Sequence, residues 1–295
     1  DFASLILEAQ DILDGNLFLK DWNLTGVTFL FSEIPFYLLG TAIFGVSTKA
    51  YLAASSAMLF FLFLLGYLLL ENRKKPLTLL LYFGFAAFPS AFLLYSARAH
   101  VAIFGLCFAA ILCLKKLTDK QRSFSKPGLL YTLYFLIIAL GTASDTFILP
   151  VLAIPVILYC LRMLFSNKIQ SVSRMWWILG LTLAGILAGK LIETGYIAIG
   201  HAALNSRTAS VSFTPFNEIP ETILLFFELL LRLFNGSPDG LQVFSLDTIA
   251  AGLHIQVMIW GIGMVIRSMK KFIKGDQEDP VSILLSLGIL CLSVF

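Results

Sequence analysis

The chain has 295 residues, of which 58% are hydrophobic and 13% charged, with a mean hydropathy of +0.88 and a formal net charge of +3. That balance excludes a soluble domain with an ordinary core and predicts an integral membrane protein. The net charge says little by itself; the basic residues fall in loops where topology accounts for them, so no nucleic-acid partner is expected.

Taken in order, Asp1 to Gly15 places Phe2, Leu5, Ile6, Ala9, Ile12 and Leu13 at helical spacing, with Asp1, Ser4, Glu8 and Asp11 opposite. This predicts an amphipathic helix, ended by Gly15 as a left-handed cap, lying in the interface with its acidic side toward water. Leu24 to Val46 is long enough to cross a bilayer but carries Glu33, Pro35, Gly40 and Gly45. An acid facing lipid is costly, so a dipping or interfacial segment is expected. Membrane spans are then predicted at 50–70, 77–95, 100–114, 128–142, 146–165, 175–195 and 249–266, and in the apolar run that begins at Val281. Between the last two complete spans lies a polar connection in which Glu221 to Phe234 reads as a second interfacial helix, with Pro220 in its first turn and Glu228 and Arg232 four apart. The first residue is an acid and the last run is about fifteen residues where roughly twenty are needed, so a fragment of a longer chain is expected.

Fifteen of the 21 Lys and Arg residues lie in four alternate connections: Arg73 to Lys75, Lys115 to Lys126, Arg162 to Arg174, and Arg267 to Lys274. The positive-inside rule makes that side cytoplasmic. The other side receives the first forty residues, Arg98 with His100, the Ser144-Asp145 turn and the connection after residue 197. On this topology 13 of the 18 acidic residues are on the outer side or its helix ends. The expected architecture is all-α: one polytopic transmembrane domain over 1–295, with about eight membrane helices and interfacial helices on the outer side. Its parts are an outer juxtamembrane segment at 1–46, membrane helices at 47–196, an outer loop at 197–242 and further membrane helices at 243–295.

Cys107, Cys113, Cys160 and Cys291 sit in apolar runs without metal-site spacing and read as small apolar residues. No Walker loop, dinucleotide fingerprint, His-Glu-x-x-His or Gly-x-Ser-x-Gly occurs. His254 has no potential metal partner at useful spacing, and Lys190 with Glu193, three apart near a span's outer end, reads as a local ion pair. The 27 Phe residues read as lipid-facing packing.

The runs Asp1-Phe2-Ala3-Ser4, Ala9 to Asn16, Lys20-Asp21-Trp22, Ser32-Glu33-Ile34-Pro35-Phe36-Tyr37 and Phe44-Gly45-Val46-Ser47 together resemble the first external loop of GT-C-type polytopic glycosyltransferases. That group includes protein O-mannosyltransferase-like enzymes and bacterial relatives that modify lipopolysaccharide or cell-wall polymers. The resemblance covers residues 1 to 50 and is weak elsewhere; Pro35 stands alone where some relatives have two prolines. It implies a bacterial plasma-membrane enzyme moving a sugar from a polyprenyl-phosphate-linked donor to a glycan, lipid or protein acceptor at the outer face, with surrounding membrane lipids as its other partners. It also implies a catalytic or metal-binding role for Asp1, so a divalent metal cofactor is possible. Such transfer needs a carboxylate that accepts the acceptor's proton and cationic or metal charge that stabilises the departing phosphate. Asp1 is the first candidate base, with Glu33 and Asp11 behind it; an N-cap is the other reading of Asp1. Arg98 and His100 could bind the donor phosphate or sugar, or be a snorkelling arginine and a buried histidine. Asp145 could face the same cavity or cap a helix, and Arg207, with His201 and Asn205, could touch the acceptor or belong to a solvated loop. The competing expectation is a non-enzymatic transporter or flippase for a lipid-linked glycan, although no paired halves with broken helices are visible.

Overall fold

The structure, a computed structural model, describes residues 2–24, 26–70, 75–76, 100–118, 127–165, 172–204, 217–218, 220–222, 224–225, 227–228, 246–274 and 280–292. Among these the chain is helical almost throughout: α1 (Phe2–Leu13), α2 (Ile34–Phe44), α3 (Thr48–Leu69), α4 (Val101–Thr118), α5 (Pro127–Ser144), a π-helical turn (Leu149–Ala153) running into α6 (Ile154–Leu164), α7 (Val172–Gly200), α8 (Leu246–Lys274) and α9 (Pro280–Leu292). Two residue pairs, β1 (Asn23–Leu24) and β2 (Ala203–Leu204), form a minimal parallel ladder with Asn23 opposite Ala203.

Five of the described helices are long and apolar enough to cross a bilayer: Thr48–Leu69, Val101–Thr118, Pro127–Ser144, Val172–Gly200 and Ala251–Lys274. The protein is therefore an integral membrane protein of the all-α class. The expected span at 77–95 lies outside the described residues, as does most of the expected interfacial helix at 221–234. The expected span at 146–165 is instead the π turn plus the 11 residues of α6. Within 24–46 only the 11 residues Ile34–Phe44 are helical, roughly 17 Å of helix against a hydrocarbon core of about 30 Å. That segment does not cross as a single helix.

One end of the bundle is basic. Lys115 Nζ donates to the Leu69 carbonyl at 3.4 Å, joining the ends of α3 and α4, and Arg162 Nη2 donates to the Ile273 carbonyl at 2.8 Å, joining those of α6 and α8. At the other end the first segment and the residues after α7 meet: Asp21 N–H donates to Gly200 O at 3.0 Å, Ala203 N–H to Trp22 O at 3.0 Å, and Tyr196 Oη to Leu17 O at 3.2 Å. The two ends thus segregate as the charge pattern predicts.

Among the described helices, α5 and α7 share the most extensive contact. A Cβ on Gly189 would stand 2.5 Å from Ala139 O and 2.6 Å from Thr142 Cβ, and one on Gly185 would lie 2.8 Å from Ile138 Cγ2. Gly185 and Gly189 form a small-xxx-small step that lets two backbones touch, an arrangement that drives helix association where lipid removes the usual hydrophobic driving force. Tyr134 Oη and Thr182 Oγ1 add a buried hydrogen bond of 2.7 Å across the same seam. Replacing Gly189 with Ala should therefore lower stability by about 1–3 kcal/mol, the usual range for overpacking. Gly180→Ala, where a Cβ meets nothing within 4 Å, should be neutral or slightly stabilising. Thermal melts of both variants in one detergent check the contrast, which fails if the two lose stability equally.

Candidate functional site

At the end opposite the basic residues, three segments far apart in sequence converge on a buried polar cluster. The turn at 28–33 reaches the end of α5 first. Thr28 Oγ1 donates to Ala143 O at 2.9 Å, and Phe29 N–H donates to Ser144 O at 2.9 Å, with Phe29 itself at φ 52°. Phe31 N–H and Ser32 N–H then both donate to Ser144 Oγ, at 3.1 and 3.0 Å. A serine oxygen has one hydrogen and two lone pairs. With both lone pairs taken, the Ser144 hydroxyl must donate its hydrogen along the 2.6 Å contact to Ser32 Oγ. Ser32 in turn donates its own hydrogen to Glu33 Oε2. The order of donors along this chain is set by the backbone.

Glu33 is fully buried. Its second oxygen, Oε1, accepts from Ala102 N–H at 3.2 Å. Ala102 is in the first turn of α4, so Glu33 satisfies an N-terminal amide of a helix 69 residues away and sits at the positive end of its dipole. His100, the residue that would ordinarily cap α4, has φ 66° and turns its side chain aside. Its Nδ1 meets Asp145 Oδ2 at 2.5 Å, while the other Asp145 oxygen accepts from Phe147 N–H at 2.9 Å. Asp145 thus caps the turn after α5 and holds the histidine with one carboxylate. The His100 ring packs edge-on against Phe147 at 4.4 Å and beside Phe29 at 5.3 Å. Its side chain keeps 31% of its surface exposed, whereas that of Asp145 has none.

Burial pushes the Glu33 carboxyl up to about 7, against the pull of the Ser32 hydrogen bond; Asp145 raises it further and His100 lowers it. A carboxylate fixed by a buried chain of donors, beside an acid-oriented and partly open imidazole, is an arrangement suited to taking and holding a proton.

The other candidates lie elsewhere. Asp11 accepts from Asn16 Nδ2 at 2.5 Å and from Trp22 Nε1 at 2.8 Å, which ties α1 to the turn after Gly15, whose φ is 106°. Its role there is to hold that turn, and it does not join the Glu33 cluster. Lys190 and Glu193 pair at 2.5 Å, as their spacing predicts. Asp1, Arg98 and Arg207 lie outside the described residues, together with Asn205. Among the described residues no group of three or more His, Cys, Asp or Glu is placed to hold a metal ion. The oxygens of Glu33 and Asp145 are already engaged by Ser32, Ala102, Phe147 and His100, so these acids do not fit a metal centre.

One expectation is overturned. Glu8, placed by periodicity on the water-facing side of α1, is 3% exposed and its carboxyl is pushed up to about 7 by burial, opposed by a hydrogen bond with Ser4. Leu7 and Leu13 are exposed instead, at 49% and 46%. The helix is covered on a second side, so its polar stripe does not all face water. Ser32 and Ser144 were equally invisible as a pair, being 112 residues apart; the Ser-Asp step at a predicted helix end was the only signal. Comparison of the chain with protein-family models, with curated proteins and with solved structures finds no match.

Two outcomes follow. Glu33→Ala removes the acceptor of both the Ser32 hydroxyl and the Ala102 N–H, and Ser144→Ala strands the Phe31 and Ser32 amides; each should cost about 1–3 kcal/mol, read as a lower melting temperature with the fold otherwise retained. Burial raises the Glu8 and Glu33 carboxyls from the ordinary glutamate value of 4.5 to about 7 in the folded chain. The folded state then binds more protons in between, so stability falls as pH rises from about 4.5 through 7. Melting temperatures recorded from pH 4 to 8 should show that decline, and Glu8→Gln should flatten it.

Proposed function

We propose that the protein is a membrane glycosyltransferase that moves a sugar from a polyprenyl-phosphate-linked donor to an acceptor hydroxyl at the extracytoplasmic face. The observation that carries the reading is the His100–Asp145 pair of 2.5 Å, with the histidine partly open, at the bundle end opposite the basic connections. By the positive-inside rule that end is extracytoplasmic. The likeness of residues 1 to 50 to the first external loop of GT-C enzymes supports the same reading, since Glu33 comes from that loop.

In this reading His100 accepts the acceptor hydroxyl's proton at Nε2, while Asp145 at Nδ1 fixes the ring and stabilises its charged form. The acceptor oxygen bonds to the anomeric carbon as the bond from that carbon to the phosphate oxygen breaks. The electron pair leaves with the polyprenyl phosphate, whose charge Arg98 would meet. Glu33 acts through the backbone, holding the first turn of α4 and with it His100. The GT-C resemblance instead gives the base to Asp1, and the two assignments are separable by mutation. No step requires a metal.

The test is transfer of radiolabelled sugar by the full chain in membranes supplied with polyprenyl-phosphate sugars. Asp145→Asn and His100→Asn, the latter keeping a residue that tolerates positive φ, should lower transfer by about 10²–10⁴ at unchanged protein level, the range for a lost general base. Loss in Asp1→Asn but not in His100→Asn would return the base to Asp1. If the native chain transfers no sugar yet labelled lipid crosses the bilayer, the chain is a flippase and the transferase reading is wrong.

A further inference from the structure

The last turns of α8 separate two kinds of surface. Ser268 is buried, and Met269 and Phe272 pack against the main apolar core, so one face of the helix is turned to the bundle. Gly263, Ile266, Arg267, Lys270, Lys271 and Lys274 line a groove on the opposite side. At 100° per residue these six fall within an arc of about 140°, and the four cations are spread over about 10 Å of helix axis. Arg267, Lys270 and Lys274 are exposed. Directly above them on the same outward side, one turn or more toward the membrane, stand Ile259 and Trp260, 61% and 65% exposed. A Cβ on Gly263 would meet nothing within 4 Å, so the groove is open beside the backbone there.

We infer that this face is a binding site for an anionic phospholipid of the leaflet at the basic end. Its chemistry matches both parts of such a molecule. Acyl chains can lie along Ile259, Trp260, Gly263 and Ile266, while the phosphate meets Arg267, Lys270 and Lys274 at the helix C-terminus. Juxtamembrane cations of this kind are drawn to an anionic membrane surface. A general topological signal would need only charge count; here the cations share one face, that face turns away from the bundle, and an apolar strip continues it. The helix end is held in place, because Arg162 donates to the Ile273 carbonyl. A soluble anion would use the cations but have no need of the strip, which favours a lipid. The site is at the end opposite the His100–Asp145 pair, so it is independent of the proposed transfer reaction.

The acidic residues Asp276, Glu278 and Asp279 follow Lys274 in the sequence and lie outside the described residues; they supply the competing account, in which the cations pair within the chain. Native mass spectrometry of the full chain in detergent, titrated with phosphatidylglycerol or with phosphatidylcholine of the same acyl chains, separates the two. Bound phosphatidylglycerol should exceed phosphatidylcholine several-fold. The excess should disappear when Arg267, Lys270, Lys271 and Lys274 are all changed to Gln, and survive when the three lysines are changed to Arg, which controls for folding. Equal occupancy by the two lipids overturns the inference. So does an excess unchanged in the Gln variant, or one that appears only after Asp276→Asn, Glu278→Gln and Asp279→Asn. Displacement of the lipid by millimolar inorganic phosphate would reassign the groove to a soluble anion.

Discussion

The arrangement at the outer end depends on how one serine distributes its hydrogen bonds. Ser144 uses its carbonyl and both lone pairs of its hydroxyl to take three amides from the turn at 29–32, and has a single hydrogen left to give. That count sets the direction of the link to Ser32 and then to Glu33, so Glu33 in its ionised form accepts at both oxygens. Its position in turn holds the first turn of α4, and His100 is thereby released from capping and can face Asp145. Each step is local, yet together they bind the first loop, α4 and α5 into one unit. Buried networks are stabilising when every member is satisfied and costly otherwise, and in this one the backbone dictates the order of donors.

The sequence announced the class of fold and the segregation of charge, because both rest on composition and on long apolar runs. Its periodicity also located α1, and its spacing the Lys190–Glu193 pair. It named Glu33, His100 and Asp145 separately, but nothing in their spacing joined them, since 69 residues separate Glu33 from Ala102 and 45 separate His100 from Asp145. Glu8 shows the opposite limit. Helical period identifies which residues share a face, not how many faces other elements cover, and Glu8 is buried although it belongs to the polar stripe. The glycines at 185 and 189 lie in a run that reads only as apolar; their meaning emerged when the facing carbonyl of Ala139 came into view.

The two ends of the bundle solve different electrostatic problems. At the basic end the charges are mostly on helix C-terminal turns, where they complement the dipole and reach water or lipid headgroups without desolvation. At the other end the carboxylates of Glu33 and Asp145 are withdrawn from solvent and depend on fixed donors. Charge at the first end is interchangeable among neighbours, whereas at the second each oxygen has a named partner. Chemistry that needs a defined proton position belongs at the second.

The shortness of one apolar element has a consequence for the bilayer itself. Leu149–Leu164, with a π turn over its first five residues, is shorter than a full crossing. A hydrophobic length below that of the hydrocarbon is met by local thinning or by flanking polar groups drawn inward, at a fraction of a kcal/mol per Å. Thinning of that kind would concentrate where the short span faces lipid, and there a headgroup that ordinarily rides above the acyl region would sit lower.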